Sequence, residues 1–132
     1  MKINKSGTPS LATTLPGNNS KLTGRIAGED LDLFDACYIK ASDGKVYRSS
    51  GAAANAAAKV RGYAATKAKA GEAVTLIWNV SVRYGSGLAP GTSVYLDDSA
   101  PGAINDAPTT GGTGEIGFVV DATRIYLTRS TY

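Results

Sequence analysis

Val74-Thr75-Leu76-Ile77-Trp78-Asn79-Val80-Ser81-Val82-Arg83-Tyr84 is the stretch that decides the fold. Val74, Leu76, Trp78, Val80, Val82 and Tyr84 fall on one face of an extended chain, and Thr75, Ile77, Asn79, Ser81 and Arg83 on the other. A period of two is the pattern of a β-strand with one buried and one mostly polar face. A strand this long commonly bends, or passes from one part of a barrel or sandwich to another.

Shorter strand signals surround it. Ala36 to Ala41 alternates, and Ser42-Asp43-Gly44 leads into Lys45-Val46-Tyr47-Arg48. An Asp-Gly turn between two such runs predicts a hairpin, because glycine takes the positive φ that the turn needs. Val60 to Ala65 and Ser93 to Leu96 read as strands, and Ala103-Ile104 as a short one. Glu115 to Val120 and Arg124 to Thr128 form a closing hairpin around Asp121-Ala122-Thr123. The alanine-rich stretch Gly51 to Lys59 has helix propensity but no amphipathic stripe, and predicts a loop with a turn or two of helix.

The chain reads as built twice. Leu31-Asp32-Leu33-Phe34-Asp35-Ala36-Cys37-Tyr38-Ile39 aligns without a gap on Leu88-Ala89-Pro90-Gly91-Thr92-Ser93-Val94-Tyr95-Leu96. At nearly the same offset, Gly62-Tyr63-Ala64-Ala65 answers Gly117-Phe118-Val119-Val120. A repeat of this size is one supersecondary unit used twice to close a core. The expected fold is all-β: a small β-barrel or β-sandwich of about eight short strands from a duplicated β unit, with an extended N-terminal arm. The 132 residues suit a single folded domain, 26–132, preceded by an arm, 1–25.

That arm is rich in Ser, Thr, Gly, Asn and Pro from Lys5 to Gly24, and too poor in apolar residues to offset its own ordering entropy. It is expected to be flexible, or to order on a partner. Its candidate contact residues are the bases Lys2, Lys5, Lys21 and Arg25 and the apolar anchors Ile3, Leu11 and Leu15. The net charge is only +3, but the signs come in blocks along the chain. Such blocks suit pairing between neighbouring strands or subunits, although a solvated surface accounts for them equally well.

Composition removes much chemistry. The chain has no histidine, which excludes Ser-His-Asp and Cys-His catalysis and takes away the commonest ligand of transition metals. The single cysteine, Cys37, lies in an apolar alternating run and reads as a small buried hydrophobe. Ser86 in Gly85-Ser86-Gly87 lacks the spacing of a nucleophile elbow. Carboxylates cluster at Glu29, Asp30, Asp32 and Asp35 and at Asp97-Asp98, without the spacing of a calcium loop; capping and turn formation explain such acids. No phosphate-binding loop, secretory signal or membrane-spanning run is recognisable, so no cofactor, metal or membrane partner is expected. Tyr47, Tyr63, Trp78 and Tyr84 stand among bases, as in single-stranded nucleic-acid binders, but Trp78 and Tyr84 fall on the apolar face of the long strand.

From Ala27 onward the chain resembles the capsid decoration, or cement, proteins of tailed bacteriophages. The resembling runs are Ala27-Gly28-Glu29-Asp30-Leu31, Ala36-Cys37-Tyr38-Ile39, Asp43-Gly44-Lys45-Val46-Tyr47, Ala70-Gly71-Glu72-Ala73-Val74-Thr75-Leu76, Tyr84-Gly85-Ser86-Gly87-Leu88, Gly91 to Leu96, and Ile116-Gly117 through Asp121-Ala122-Thr123-Arg124-Ile125-Tyr126-Leu127. Their order along the chain carries the resemblance, and the N-terminal arm departs from it. The resemblance implies a non-enzymatic virion protein on the outer surface of the expanded head. It also implies the major capsid protein as partner, a homotrimer as the assembled form, and no specific nucleic acid. The alternative is a small β-barrel binding module of a phage tail or fibre, or a single-stranded nucleic-acid binder.

Overall fold

The computed structural model describes residues 1–12 and 20–130. Its strands are β1 (Lys2–Ile3), β2 (Ser10–Leu11), β3 (Lys21–Ile26), β4 (Ala36–Ile39), β5 (Val46–Arg48), β6 (Gly62–Ala64), β7 (Ala73–Ile77), β8 (Val80–Arg83), β9 (Ser93–Leu96), β10 (Ile104–Asn105), β11 (Gly117–Val119) and β12 (Arg124–Leu127). They form two sheets: five strands in the order β3-β7-β6-β4-β5, and seven in the order β1-β10-β9-β11-β12-β8-β2. All ladder pairings between these strands are antiparallel. The alanine-rich stretch forms turns and a short 3₁₀ segment, Ala56–Ala58, whose first turn is capped by the Asn55 side chain.

The long alternating stretch does pass from one sheet to the other. It is β7 of the five-stranded sheet and β8 of the seven-stranded one, broken at Trp78-Asn79. Asn79 takes φ 56°, a left-handed conformation that asparagine tolerates better than most residues.

Strand pairing repeats in register. In the first unit β4 pairs β6 through Ala36↔Tyr63 and Cys37↔Gly62; in the second β9 pairs β11 through Ser93↔Phe118 and Val94↔Gly117. Tyr38↔Tyr47 and Ile39↔Val46 are answered by Tyr95↔Asn105 and Leu96↔Ile104. Tyr63↔Ile77 and Ala64↔Leu76 are answered by Phe118↔Tyr126 and Val119↔Ile125. The order β3-β7-β6-β4-β5 is therefore repeated as β8-β12-β11-β9-β10. Irregular backbone repeats too. The Phe34 amide donates to the Ala64 carbonyl at 2.7 Å, and the Gly91 amide to the Val119 carbonyl at 2.8 Å. Both donors have positive φ, 60° and 84°. Glycine adopts this region freely, whereas Phe34 is held there by its burial in the core. Gly62 and Gly117, at equivalent positions, each lack room for a Cβ: it would meet Leu76 in one unit and the Tyr126 carbonyl in the other.

The first residues of the chain belong to this body. The sequence places the start of the folded part near Ile26, whereas ladder pairing extends back to Lys2. β1 lies on the β10 edge of the second unit and β2 on its β8 edge. Between them, the Ser6 amide donates to the Tyr84 carbonyl at 2.9 Å. The segment thus spans the seam between the two edges. The first unit closes its seam with its own chain: Ala27 bridges Val46, and the Gly28 amide donates to the Val46 carbonyl at 2.8 Å. β3, which holds Lys21 and Arg25, is a full ladder partner of β7. Leu15 lies outside the described residues.

Two cores result. Leu31, Cys37, Val46, Ala64, Val74 and Leu76 fill the first unit. The larger core holds Val82, Val94, Leu96, Ile104, Val119 and Ile125 of the second unit, with Ile3 from β1 and Ala36, Tyr63 and Ile77 from the other face of the first sheet. Ile77, on the nominally polar face of the alternating stretch, is buried because that face packs on the second unit.

Ile3 is 7% exposed within this core. Ile3→Ala is expected to lower the unfolding free energy by about 2–4 kcal/mol. Urea denaturation checks this, and an arm standing free of the body would give no change.

Candidate functional site

The acidic cluster is committed to internal bonds. Asp35 accepts the Asp32 amide at 2.8 Å and the Lys5 ammonium at 2.7 Å. Glu29 accepts the Arg48 amide at 2.9 Å and its Nη2 at 3.2 Å, and Asp30 accepts the Ala70 amide at 3.1 Å. Among the described residues, no three His, Cys, Asp or Glu side chains are grouped to hold a metal ion. Asp30, Asp32 and Asp35 border a cleft of about 460 Å³ that Arg48, Lys67, Lys69 and Glu72 also line. Its charges alternate in sign, and its Lys67–Asp32 pair is loose at 3.9 Å, an exposed contact that contributes little.

Cys37 is buried, and its Sγ donates to the Asp35 carbonyl at 3.2 Å. Burial, reinforced by the Asp35 charge, pushes its thiol far above the ordinary range, so it is not a thiolate nucleophile. The Ser86 hydroxyl is exposed and hydrogen-bonds the Ser6 hydroxyl at 2.9 Å. Trp78, Tyr84 and Tyr63 are core residues, and the Arg129 guanidinium covers the Trp78 ring at 4.2 Å. No helix among the described residues is long and apolar enough to cross a membrane.

The candidate contact residues of the N-terminal segment divide between two places. Lys2, Ile3, Lys5 and Leu11 lie along the seam of the second unit, and Lys21 and Arg25 on the edge strand of the five-stranded sheet. Lys2 is exposed, Ile3 is buried, and Leu11 is half-buried against the larger core. Lys5 is held by Asp35, by Asp32 at 3.8 Å, and over the Tyr84 ring at 5.9 Å. Lys21 and Arg25 are half-buried, and Arg25 Nε donates to the Gly24 carbonyl at 3.1 Å.

Asp97 anchors the turn between β9 and β10. Burial opposes its ionisation, but Ser99 Oγ, Asn105 Nδ2 and the Ala100 and Ser99 amides outweigh burial and hold its carboxyl below the usual value. The folded protein therefore binds fewer protons here than the unfolded chain. This contribution is complete above the ordinary value of 3.8 and is lost as pH falls through the lower folded value. Asp97→Asn is expected to cost about 1–3 kcal/mol at neutral pH, and the gap from the wild type to narrow below pH 3.8. Denaturation across an acid series checks both expectations.

The feature that sequence reading passed over is the outer face of the seven-stranded sheet. Phe118 is 43% exposed there, with its ring 5.4 Å from that of half-buried Tyr126. Ladder pairing sets Ser93 beside Phe118 and Ser81 beside Tyr126 on the same face. The sequence carried a signal, since the repeat aligns Phe118 with Tyr63. Periodicity did not tell which of the two aromatics is covered. Comparison of the chain with family models, curated proteins and solved structures returned no match.

Proposed function

We propose that the protein is a structural component of a tailed-phage virion that docks on the outer surface of the head and stabilises the capsid, with the major capsid protein as its partner. The ordered runs from Ala27 to Leu127 that resemble decoration proteins are the basis of this reading. The observation that carries it furthest is the use made of the polar side chains. Asp35, Glu29, Asp30 and Asp97 are taken up in bonds within the chain, while sheet surface is open to a partner. That is the equipment of a protein that binds by surface, and we assign it no enzymatic activity.

A decoration protein acts through numbers. Each copy contributes a modest interface, and contact with several shell subunits at once raises the total. Lys2, Lys21 and Arg25 are the bases of the N-terminal segment that suit an acidic shell; Lys5 is already engaged by Asp35. Ile3 and Leu11 support the segment from beneath. Of the four aromatics that suggested a nucleic-acid binder, Trp78, Tyr84 and Tyr63 are buried and offer no platform for stacked bases, which weighs against that alternative; Tyr47 is half-buried, with the Lys40 ammonium 4.9 Å from its ring centre.

Co-sedimentation with phage heads made without this protein tests the proposal. Saturable, salt-tolerant binding to expanded heads, and none to unexpanded ones, is expected. Absence of binding to either form overturns it, and steeply salt-dependent binding to single-stranded DNA instead supports the alternative.

A further inference from the structure

We propose that the outer face of the second unit, centred on Phe118 and Tyr126, is a self-association surface that packs against a second copy of this chain. The repeat itself shows what such a face takes. Ala36, Tyr63 and Ile77 occupy in the first unit the ladder positions that Ser93, Phe118 and Tyr126 occupy in the second. In the first unit this face is wholly covered: Tyr63 is 0% exposed and Ile77 1%. Its cover is the sister unit, with the Tyr63 hydroxyl donating to the Ile116 carbonyl at 3.2 Å. The same face of the same unit, presented by the second copy, has no sister unit left within the chain.

The chemistry of the face agrees. Phe and Tyr are enriched at interface centres, and this aromatic pair stands beside two small serines that leave it accessible. Two cations border the face, and each has a partner within the chain. Arg124 is paired with Asp121 at 2.7 Å, and Arg83 donates to the Leu11 carbonyl at 3.1 Å. The second unit's own edges, β10 and β8, are already paired by β1 and β2, and these outermost strands are only two residues long, so its face is the larger open surface. The inference goes beyond head binding and stands apart from it, because it is measured with the protein alone.

Sedimentation equilibrium of the full chain over a wide concentration range tests it. The wild type is expected to associate. Phe118→Asp should weaken association at least about tenfold, equivalent to about 1.4 kcal/mol, with an unchanged circular dichroism spectrum. Ile26→Asp, at an exposed apolar residue on the edge strand of the other sheet, should associate as the wild type does. Should Phe118→Asp lose its native spectrum, Ser93→Lys reads the same face with less disturbance to the aromatic pair. A wild type that stays monomeric throughout overturns the inference, as does a folded Phe118→Asp or Ser93→Lys variant that associates normally. A monomer that loses head binding on Phe118→Asp overturns it by giving the face to the shell. One that loses single-stranded DNA binding overturns it by giving the face to nucleic acid.

Discussion

Burial of one sheet face against the other unit is the constraint on which this molecule depends. Five short strands cannot cover both of their faces. The first unit turns Cys37, Val46, Ala64 and Leu76 inward on its own core, and its opposite face, with Ala36, Tyr63 and Ile77, needs separate cover. The second unit supplies it, so the larger core is built from residues of both units. A fully buried side chain of this size contributes about 1.5–3 kcal/mol, and the shared face gathers several of them. The arrangement also accounts for the position of Asn79. The left-handed turn there ends β7 and starts β8 two residues on, so the chain leaves one sheet and enters the other without a long connection.

The two units solve the edge problem differently. In the first, the chain after β3 folds back so that Ala27 meets β5, and no additional strand is needed. In the second, the N-terminal segment supplies two short strands, one to each edge. An unpaired edge exposes a row of backbone donors and acceptors and invites pairing with other chains. A segment too polar to fold alone is adequate for this role, because its ordering is driven by backbone hydrogen bonds, with Ile3 and Leu11 as apolar attachments.

Legibility followed the range of the physical signal. The 74–84 alternation, the Asp43-Gly44 turn and the closing hairpin are local patterns, and each yields the element it predicts. The duplication was legible because Leu31–Ile39 and Leu88–Leu96 carry the same turn into the same strand, down to the positive φ shared by Phe34 and Gly91. The place of residues 1–12 was not. β1 and β2 are two residues each, too short to show periodicity, and their partners lie far along the chain. The acidic cluster was visible as a composition of carboxylates, but its engagement by Lys5, Arg48 and the Ala70 amide depends on tertiary placement.

Duplication makes a unit's two copies alike in pairing and unlike in surroundings, and the difference falls at a few positions. Tyr63 and Phe118 are both aromatic, at the same register, next to a glycine that lets the adjacent strand approach. Inside the chain, one has become a core residue that donates a hydrogen bond to the other unit. The other is an apolar ring without a hydroxyl, partly open on the outer face of its sheet. Ala36 and Ile77 diverge from Ser93 and Tyr126 in the opposite sense to the Tyr63 and Phe118 pair: small or aliphatic where the face is sealed, hydroxyl-bearing where it is open. Hydroxyls keep an open face soluble in the single chain and can exchange water for a partner's polar groups when it closes, which is the behaviour required of a surface that must be exposed before assembly and buried after it.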